Sequence, residues 1–171
     1  MNLDKEKLKN FDKLPEDVRR KFSLMMNRWN EKKKEEHIKK DFLGFVKHVW
    51  PDFIEGSHHK KISEKFNKLA EGKIKRLIIN MPPRHTKSEF ASYLLPAWMV
   101  GKNPKLKIIQ STNTTELSVR FGRKAKGLID SPEFQQVFKT RLREDSQAAG
   151  KWETAQGGEY YAAGVGSAIT G

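Results

Sequence analysis

Apolar side chains recur at helical spacing through residues 1–50. Pro15 fits the first turn of a helix, and Glu16 and Asp17 favour its N-terminal end, so residues 14–17 predict a helix start. Two apolar stripes, separated by the charged residues 30–40, are expected to pack in a core. The first stripe comprises Val18, Phe22, Met25, Met26 and Trp29, and the second comprises Phe42, Phe45, Val46, Val49 and Trp50.

The central part of the chain alternates between strand-like and helix-like patterns. The predicted helices are His58–Ala70, Ser88–Val100, Thr115–Ile129 and Glu133–Phe138, and the predicted strands are Ile74–Asn80 and Leu106–Ser111. Pro96 predicts a kink or an early stop in the second of these helices. Residues 152–171 have the composition of strands joined by tight turns. The order strand, loop, helix, strand, helix favours an α/β fold in which helices cover a parallel sheet.

Residues 77–88 contain a short apolar run, a Pro-rich turn and then Lys-Ser. In the phosphate-binding pattern G-x-x-x-x-G-K-[ST], backbone N–H groups wrap the phosphates, the Lys reaches the β- and γ-phosphates, and the hydroxyl binds Mg²⁺. Lys87 and Ser88 occupy the last two positions, whereas Met81 and Thr86 replace both glycines. The flanking strand and helix favour a nucleotide site. An ordinary strand–turn–helix with an exposed Lys-Ser is the alternative.

Several neighbouring residues are candidates on chemical grounds. Arg84 carries a fork of N–H donors that matches a γ-phosphate, so it is the candidate catalytic residue, and pairing with a carboxylate is the alternative. Gln110 ends a predicted strand, close to the carboxyl edge of the sheet where ligands bind. His85 is expected to be a turn residue rather than a base. Thr86 is unexpected, because β-branched residues resist the positive φ that glycine allows.

The composition narrows the class of protein. The chain has 171 residues, no cysteine and a formal net charge of +13. The absence of cysteine excludes disulfides and Cys-based zinc sites, and the positive charge indicates a polyanionic partner such as nucleic acid. A basic nucleic-acid-binding module without nucleotide chemistry is therefore a second hypothesis. Its candidate contacts are the region Lys32–Lys40 and the helix residues Arg120, Arg123, Lys124 and Lys126, although all of these also suit a solvated face.

Three segments together resemble a known family. The first runs from His58 to Ile62 and then from Glu71 to Glu89, and it contains Pro-Pro-Arg-His-Thr-Lys-Ser at residues 82–88. The others are residues 108–120 and the Gly-rich stretch 157–171, in which Ser167 replaces one glycine. They resemble the large terminase subunit of tailed bacteriophages, the motor that packages DNA into procapsids. That family has a Walker A motif of the form P-P-R-H-[GT]-K-S, so the missing glycines are a family trait.

The resemblance implies a P-loop NTPase-type parallel sheet flanked by helices, which is incomplete here. It implies a helical N-terminal region at residues 1–50, a partial ATPase domain at residues 51–171, and ATP and Mg²⁺ as cofactors. His58 and His59 match the family's adenine-contacting segment, with a helix-capping or surface role as the alternative. Ser88 would be the metal ligand. With Gln110 added, the candidate nucleotide-binding residues are Pro83, Arg84, His85, Thr86, Lys87, Ser88, His59 and Gln110.

In the family, the acidic Walker B motif and a nuclease domain follow the matched region, whereas this sequence ends at Gly171. We therefore expect ATP binding, with slow or absent hydrolysis by this chain alone. The resemblance implies double-stranded DNA, the portal and the small terminase subunit as partners, and assembly as a homo-oligomeric ring. With no signal segment and no membrane-spanning run, we expect a cytosolic protein without a membrane partner. The resemblance implies that it is virus-encoded and lies in the cytoplasm of a bacterial host. Another P-loop motor, such as a helicase, is a further alternative.

Overall fold

The computed structural model describes residues 15–146 and 148–167. The chain divides into one unit up to His37 and another from Ile38 onward. The first helices are α1 (Glu16–Lys40), α2 (Phe42–Val49) and α3 (Ser57–Ala70). They confirm the predicted helical patterns from residue 16 onward, whereas residues 1–14 of the predicted helical region 1–50 lie outside the described residues. None of the helices in the described part of the chain is long and apolar enough to cross a membrane.

A continuous helical stretch follows the Pro-rich turn. It comprises α4 (Lys87–Glu89), a π-helical segment (Phe90–Leu94) and α5 (Leu95–Lys102). Pro96 lies in the first turn of α5, where its ring would clash with the carbonyl of Ser92 in a regular α-helix. A π-helical turn widens the helix at this point. The irregularity predicted at Pro96 therefore takes the form of a π segment, and the helix continues to Lys102.

Among residues 15–146 and 148–167, the sheet has three strands, β1 (Lys107–Thr112), β2 (Lys151–Glu153) and β3 (Glu159–Gly164), in the order β1-β3-β2. β1 and β3 are parallel, with Ile109 opposite Tyr161, whereas β2 and β3 are antiparallel and joined by a tight turn. Helix α6 (Thr115–Ile129) packs against β1 and β3, and α7 (Pro132–Val137) follows it. The fold is thus mixed α/β with parallel pairing, as predicted, but the sheet as a whole is mixed.

Aromatic side chains form the centre of the core in the second unit. The rings packed edge-on around Phe42 are those of Phe66, Phe90 and Trp98, at centroid distances of 5.0, 5.4 and 5.4 Å. Phe42 and Trp98 are fully buried, and the indole Nε1 of Trp98 donates a hydrogen bond to Ile38 O at 3.2 Å. Because Phe90 begins the π segment, the helix that follows the Pro-rich turn is anchored directly in this core.

The predicted strand Ile74–Asn80 is wrong, because the structure assigns neither helix nor strand there. Leu77 and Ile79 are partly buried and pack against the core, whereas Ile78 is 87% exposed. The alternating pattern that predicted a strand is therefore present as alternating burial. A strand also needs a neighbour that supplies ladder hydrogen bonds, and no such ladder joins residues 74–80 to the sheet in the described part of the chain.

The two apolar stripes have different fates. Phe42, Phe45 and Val46 have no solvent exposure and confirm the second stripe as core. The prediction was wrong for Val18, Met25 and Trp29 of the first stripe, which are 40%, 58% and 40% exposed, whereas Phe22 and Met26 are partly buried. Helical spacing indicates that apolar residues share a face, but it does not indicate what covers that face.

Two glycines of α6 provide a matched test of packing on the sheet. A Cβ at Gly127 would have no heavy atom within 4 Å, so Gly127→Ala should raise the free energy of unfolding by about 0.5–1 kcal/mol. A Cβ at Gly122 would lie 2.5 Å from Ala149 O, so Gly122→Ala should lower it by about 1–3 kcal/mol. Urea denaturation measures both changes. Equal stabilisation by the two substitutions would contradict the close approach at Gly122.

Candidate functional site

The turn before α4 has an uncommon backbone. Arg84 and Thr86 have φ angles of 64° and 58°, and they are the only non-glycine residues with positive φ in the described part of the chain. Thr86 stands where the phosphate-binding pattern has its second glycine. The loop therefore has, at this position, the left-handed conformation that glycine gives in the standard pattern, although a β-branched residue adopts it rarely.

The helix begins immediately after Thr86. The amide of Phe90 donates to Thr86 O at 2.9 Å and closes the first turn. The N–H groups of Lys87, Ser88 and Glu89 lie within this first turn, where a helix offers them no carbonyl acceptor. Together with the helix dipole, these N–H groups favour an anion at the N-terminus. Lys87 and Ser88 are both exposed to solvent at this end of the helix.

The charged side chains give the loop a positive field. Lys87 Nζ donates to Met81 O at 3.4 Å, which joins the two ends of the loop and leaves the ammonium with further donors. Arg84 is exposed, and residues 81–88 contain no acidic side chain. The nearest acid along the chain, Glu89, accepts two hydrogen bonds from Lys124 of α6, at 2.7 and 2.9 Å. The charge of Glu89 is therefore countered from outside the loop.

His85 and Pro83 have a structural part in the turn. The ring nitrogen Nδ1 of His85 lies 2.9 Å from Pro83 O, and because a carbonyl only accepts, Nδ1 carries the proton. His85 is exposed and its ring is tied to the turn, which confirms its interpretation as a turn residue. Pro83 is also exposed, so the outer surface of the turn is open to solvent.

His59 is buried beneath the loop with only 5% of its surface exposed. Its Nδ1 accepts a hydrogen bond from Gly56 N at 2.9 Å, and its Nε2 lies 2.7 Å from Thr86 Oγ1. The first bond caps α3, because Gly56 is the N-cap and His59 is the third helical residue. The capping role that the sequence left open for this histidine is therefore confirmed, and a direct contact with the loop is added to it.

Other candidates lie outside this network. Gln110 is in β1 opposite Ala162, and the hydrogen bonds of the described residues do not connect it to the loop. Lys124, which is also a candidate contact for nucleic acid, forms an ion pair with Glu89 at 2.7 Å. Within the described chain, no group of three or more His, Cys, Asp or Glu side chains is arranged to hold a metal ion.

A second feature is a basic cavity of about 470 Å³ within the unit that begins at Ile38. Four lysines line it, namely Lys39, Lys40, Lys102 and Lys139. Lys102 Nζ lies 4.3 Å from the centroid of the Trp98 ring. Burial lowers the pKa of Lys102, and Glu71 partly opposes this effect. Local sequence patterns did not indicate this cavity, because its lysines come from separate segments of the chain.

The link between His59 and Thr86 was also missed by sequence reasoning. The available signal was the spacing from Gly56 to His59, which is typical of a capped helix start, but nothing local indicated the residue across the loop. Comparisons with protein-family models, with curated proteins and with solved structures find no match to this chain.

Proposed function

We propose that residues 81–88 bind the phosphates of ATP together with Mg²⁺, and that the chain is the N-terminal part of a terminase-type P-loop ATPase. The observation that carries the proposal is the left-handed backbone of Thr86 directly before a helix N-terminus that begins with Lys87 and Ser88. A phosphate-binding loop requires this combination, because the turn directs several backbone N–H groups toward one anion.

Each side chain has a distinct part in this proposal. Lys87 would exchange its long hydrogen bond with Met81 O for contacts with the β- and γ-phosphates, which are stronger acceptors. Arg84 would donate to the γ-phosphate through its planar fork. Ser88 would contribute one oxygen to Mg²⁺, which commonly takes few protein ligands and completes its shell with phosphates and water.

The fold around the loop supports the proposal through its α/β class, although residues 74–80, which lead into the loop, do not form the strand that the sequence predicted. Parallel pairing of β1 and β3 is covered by α6, and Lys124 joins α6 to Glu89 in the first turn after the loop. The further proposals are double-stranded DNA, the portal and the small terminase subunit as partners. They rest on the resemblance of residues 82–88 and its flanking segments.

Titration of the 171-residue chain with a fluorescent ATP analogue tests the proposal. We expect saturable binding that Mg²⁺ strengthens, and little or no steady release of phosphate from ATP. Ser88→Ala should remove most of the strengthening by Mg²⁺ and should change metal-free binding little, because only the hydroxyl ligand is lost. Absence of binding at millimolar analogue would overturn the nucleotide assignment. Steady turnover of ATP would contradict the expectation of slow or absent hydrolysis.

The basic cavity favours nucleic-acid binding as a second function. Four lysines around one concave surface offer several contacts to a phosphate backbone, and each such contact adds to the salt dependence of binding. If this function is correct, replacing both Lys102 and Lys139 by alanine should reduce the slope of log affinity against log salt for duplex DNA by roughly 2. If the double variant binds duplex DNA with an unchanged salt slope, Lys102 and Lys139 do not contact the phosphate backbone. Duplex binding without any affinity for ATP would favour this function over the nucleotide site.

A further inference from the structure

Thr86 is held in its unusual conformation by a network centred on its hydroxyl group. Thr86 Oγ1 donates to His85 O at 2.7 Å and lies 2.7 Å from His59 Nε2. The hydroxyl has a single proton, which the carbonyl of His85 takes, because a carbonyl only accepts. The hydroxyl must therefore be the acceptor in its contact with His59, and Nε2 must be the donor.

The other nitrogen of the imidazole supports the same assignment independently. Gly56 N–H can only donate, so Nδ1 of His59 accepts at 2.9 Å and carries no proton. A neutral histidine with a bare Nδ1 carries its proton on Nε2. Both ring nitrogens therefore lead to the same tautomer. Gly56 donates to His59, His59 donates to Thr86, and Thr86 donates to the carbonyl of His85.

The imidazole of His59 is mounted rigidly enough to position the loop. The ring of His58 lies at a centroid distance of 3.8 Å, Phe53 lies edge-on at 4.8 Å, and Phe90 lies at 5.0 Å. Phe90 also belongs to the helix that the loop begins. His59 thus joins the first turn of α3, the loop and the following helix within one packed cluster.

Burial lowers the pKa of His59, so the neutral ring that the network requires is favoured. The titratable groups facing it are His58 and His85, which lower this pKa further, and Glu55, which raises it. Glu55 is itself engaged in ion pairs with Lys47 and Lys60. A protonated His59 would direct an N–H toward the amide of Gly56, where both groups are donors.

We propose that His59 is a positioning residue, which keeps Thr86 in the left-handed conformation and so sets the geometry of the loop for phosphate. A hydrogen bond from a distant helix thereby supplies the restraint that replaces the conformational freedom of glycine. The effect on nucleotide affinity rests on the proposed function, whereas the effect on loop conformation does not.

Two substitutions separate the contact with the loop from the helix cap. In His59→Gln, the side-chain amide can place a donor where Nε2 lies, so contact with Thr86 is retained in part. In His59→Asn, the carbonyl can replace Nδ1 as the acceptor from Gly56, but the side chain is too short to reach Thr86. We expect His59→Asn to weaken binding of an ATP analogue about tenfold and His59→Gln to weaken it less. Lys65→Ala, at an exposed position of the same helix, is the control.

Thr86→Gly removes the need for the restraint. In this background, His59→Asn should change analogue affinity less than twofold, because glycine reaches the positive φ without support. A tenfold loss in both backgrounds would overturn the proposal and assign His59 a general structural role. Thermal unfolding of each variant shows whether the chain is folded before affinities are compared.

Amide hydrogen exchange and nitrogen NMR test the same proposal without nucleotide. Exchange of the Phe90 amide, which donates to Thr86 O at 2.9 Å, should accelerate in His59→Asn and stay near the wild-type rate in Lys65→Ala. The ¹⁵N shifts of His59 should show a protonated Nε2. A protonated Nδ1, or unchanged exchange in His59→Asn, would overturn the positioning role. If exchange changes in the variants as expected but the chain binds no nucleotide, only the proposed function is contradicted.

Discussion

Lys87→Ala should reduce the affinity of the chain for an Mg²⁺–ATP analogue by about 10- to 100-fold. Each hydrogen bond to a charged group is worth about 1.5–3 kcal/mol, and about 1.4 kcal/mol corresponds to a factor of ten in affinity. The lysine follows the left-handed Thr86 at the start of the helix, so its ammonium and the first-turn N–H groups would act on the same phosphates. The same titration that tests the wild-type chain measures the loss.

Lys105→Ala is the matched control, since it removes the same charge from an exposed position in the turn before β1. It should change affinity less than twofold. Lys87 is also exposed and makes a long hydrogen bond of 3.4 Å to Met81 O, so Lys87→Ala should alter the free energy of unfolding by no more than about 0.5 kcal/mol. Unchanged affinity in a folded Lys87→Ala variant would show that Lys87 does not contact the phosphates, and it would contradict the phosphate-loop assignment.

Trp98→Ala should lower the free energy of unfolding by about 3–5 kcal/mol, because it removes a large, fully buried ring. The substitution also leaves the carbonyl of Ile38 without the indole donor that lies 3.2 Å away. Small domains are stable by about 5–15 kcal/mol, so this loss is a large part of the total. Urea denaturation followed by circular dichroism measures the change.

Trp29→Ala provides the comparison within the same residue type. Trp29 is 40% exposed in the first unit, and Lys33 makes a cation–π contact with it, with Nζ 3.8 Å from the ring centroid. We expect a loss of no more than about 1 kcal/mol, since an exposed cation–π contact is worth about 0.5–1 kcal/mol. Equal losses at Trp29 and Trp98 would contradict the assignment of the core to the rings around Phe42.

The left-handed Thr86 connects stability with function. A non-glycine residue held in this region costs about 1–3 kcal/mol and persists only when its surroundings over-determine it. Here the surroundings are the hydroxyl bonds to His59 and His85, each 2.7 Å long. Thr86→Gly relieves the strain but also frees the unfolded chain. Thr86→Gly should therefore change the free energy of unfolding little. It should, however, make the conformation of the loop much less dependent on His59.

Local patterns determined most of the helices. Helix α6 occupies Thr115–Ile129 as predicted, because a capping Thr114 and an apolar face of period 3.6 lie within the segment itself. The end of α3 at Glu71-Gly72 was equally local, since Gly72 supplies the positive φ that helix ends favour. The sequence also located the Lys-Ser position at a helix start.

Only the tertiary structure decided the features that need a distant partner. Residues 74–80 keep an alternating burial pattern without becoming a strand, because ladder hydrogen bonds must come from another segment. Met25 and Trp29 are exposed for a related reason, because the spacing of apolar residues does not determine which segment packs against them. The same holds for Thr86. Its place in the motif could be predicted from the sequence, but its left-handed backbone depends on His59, which is 27 residues away along the chain.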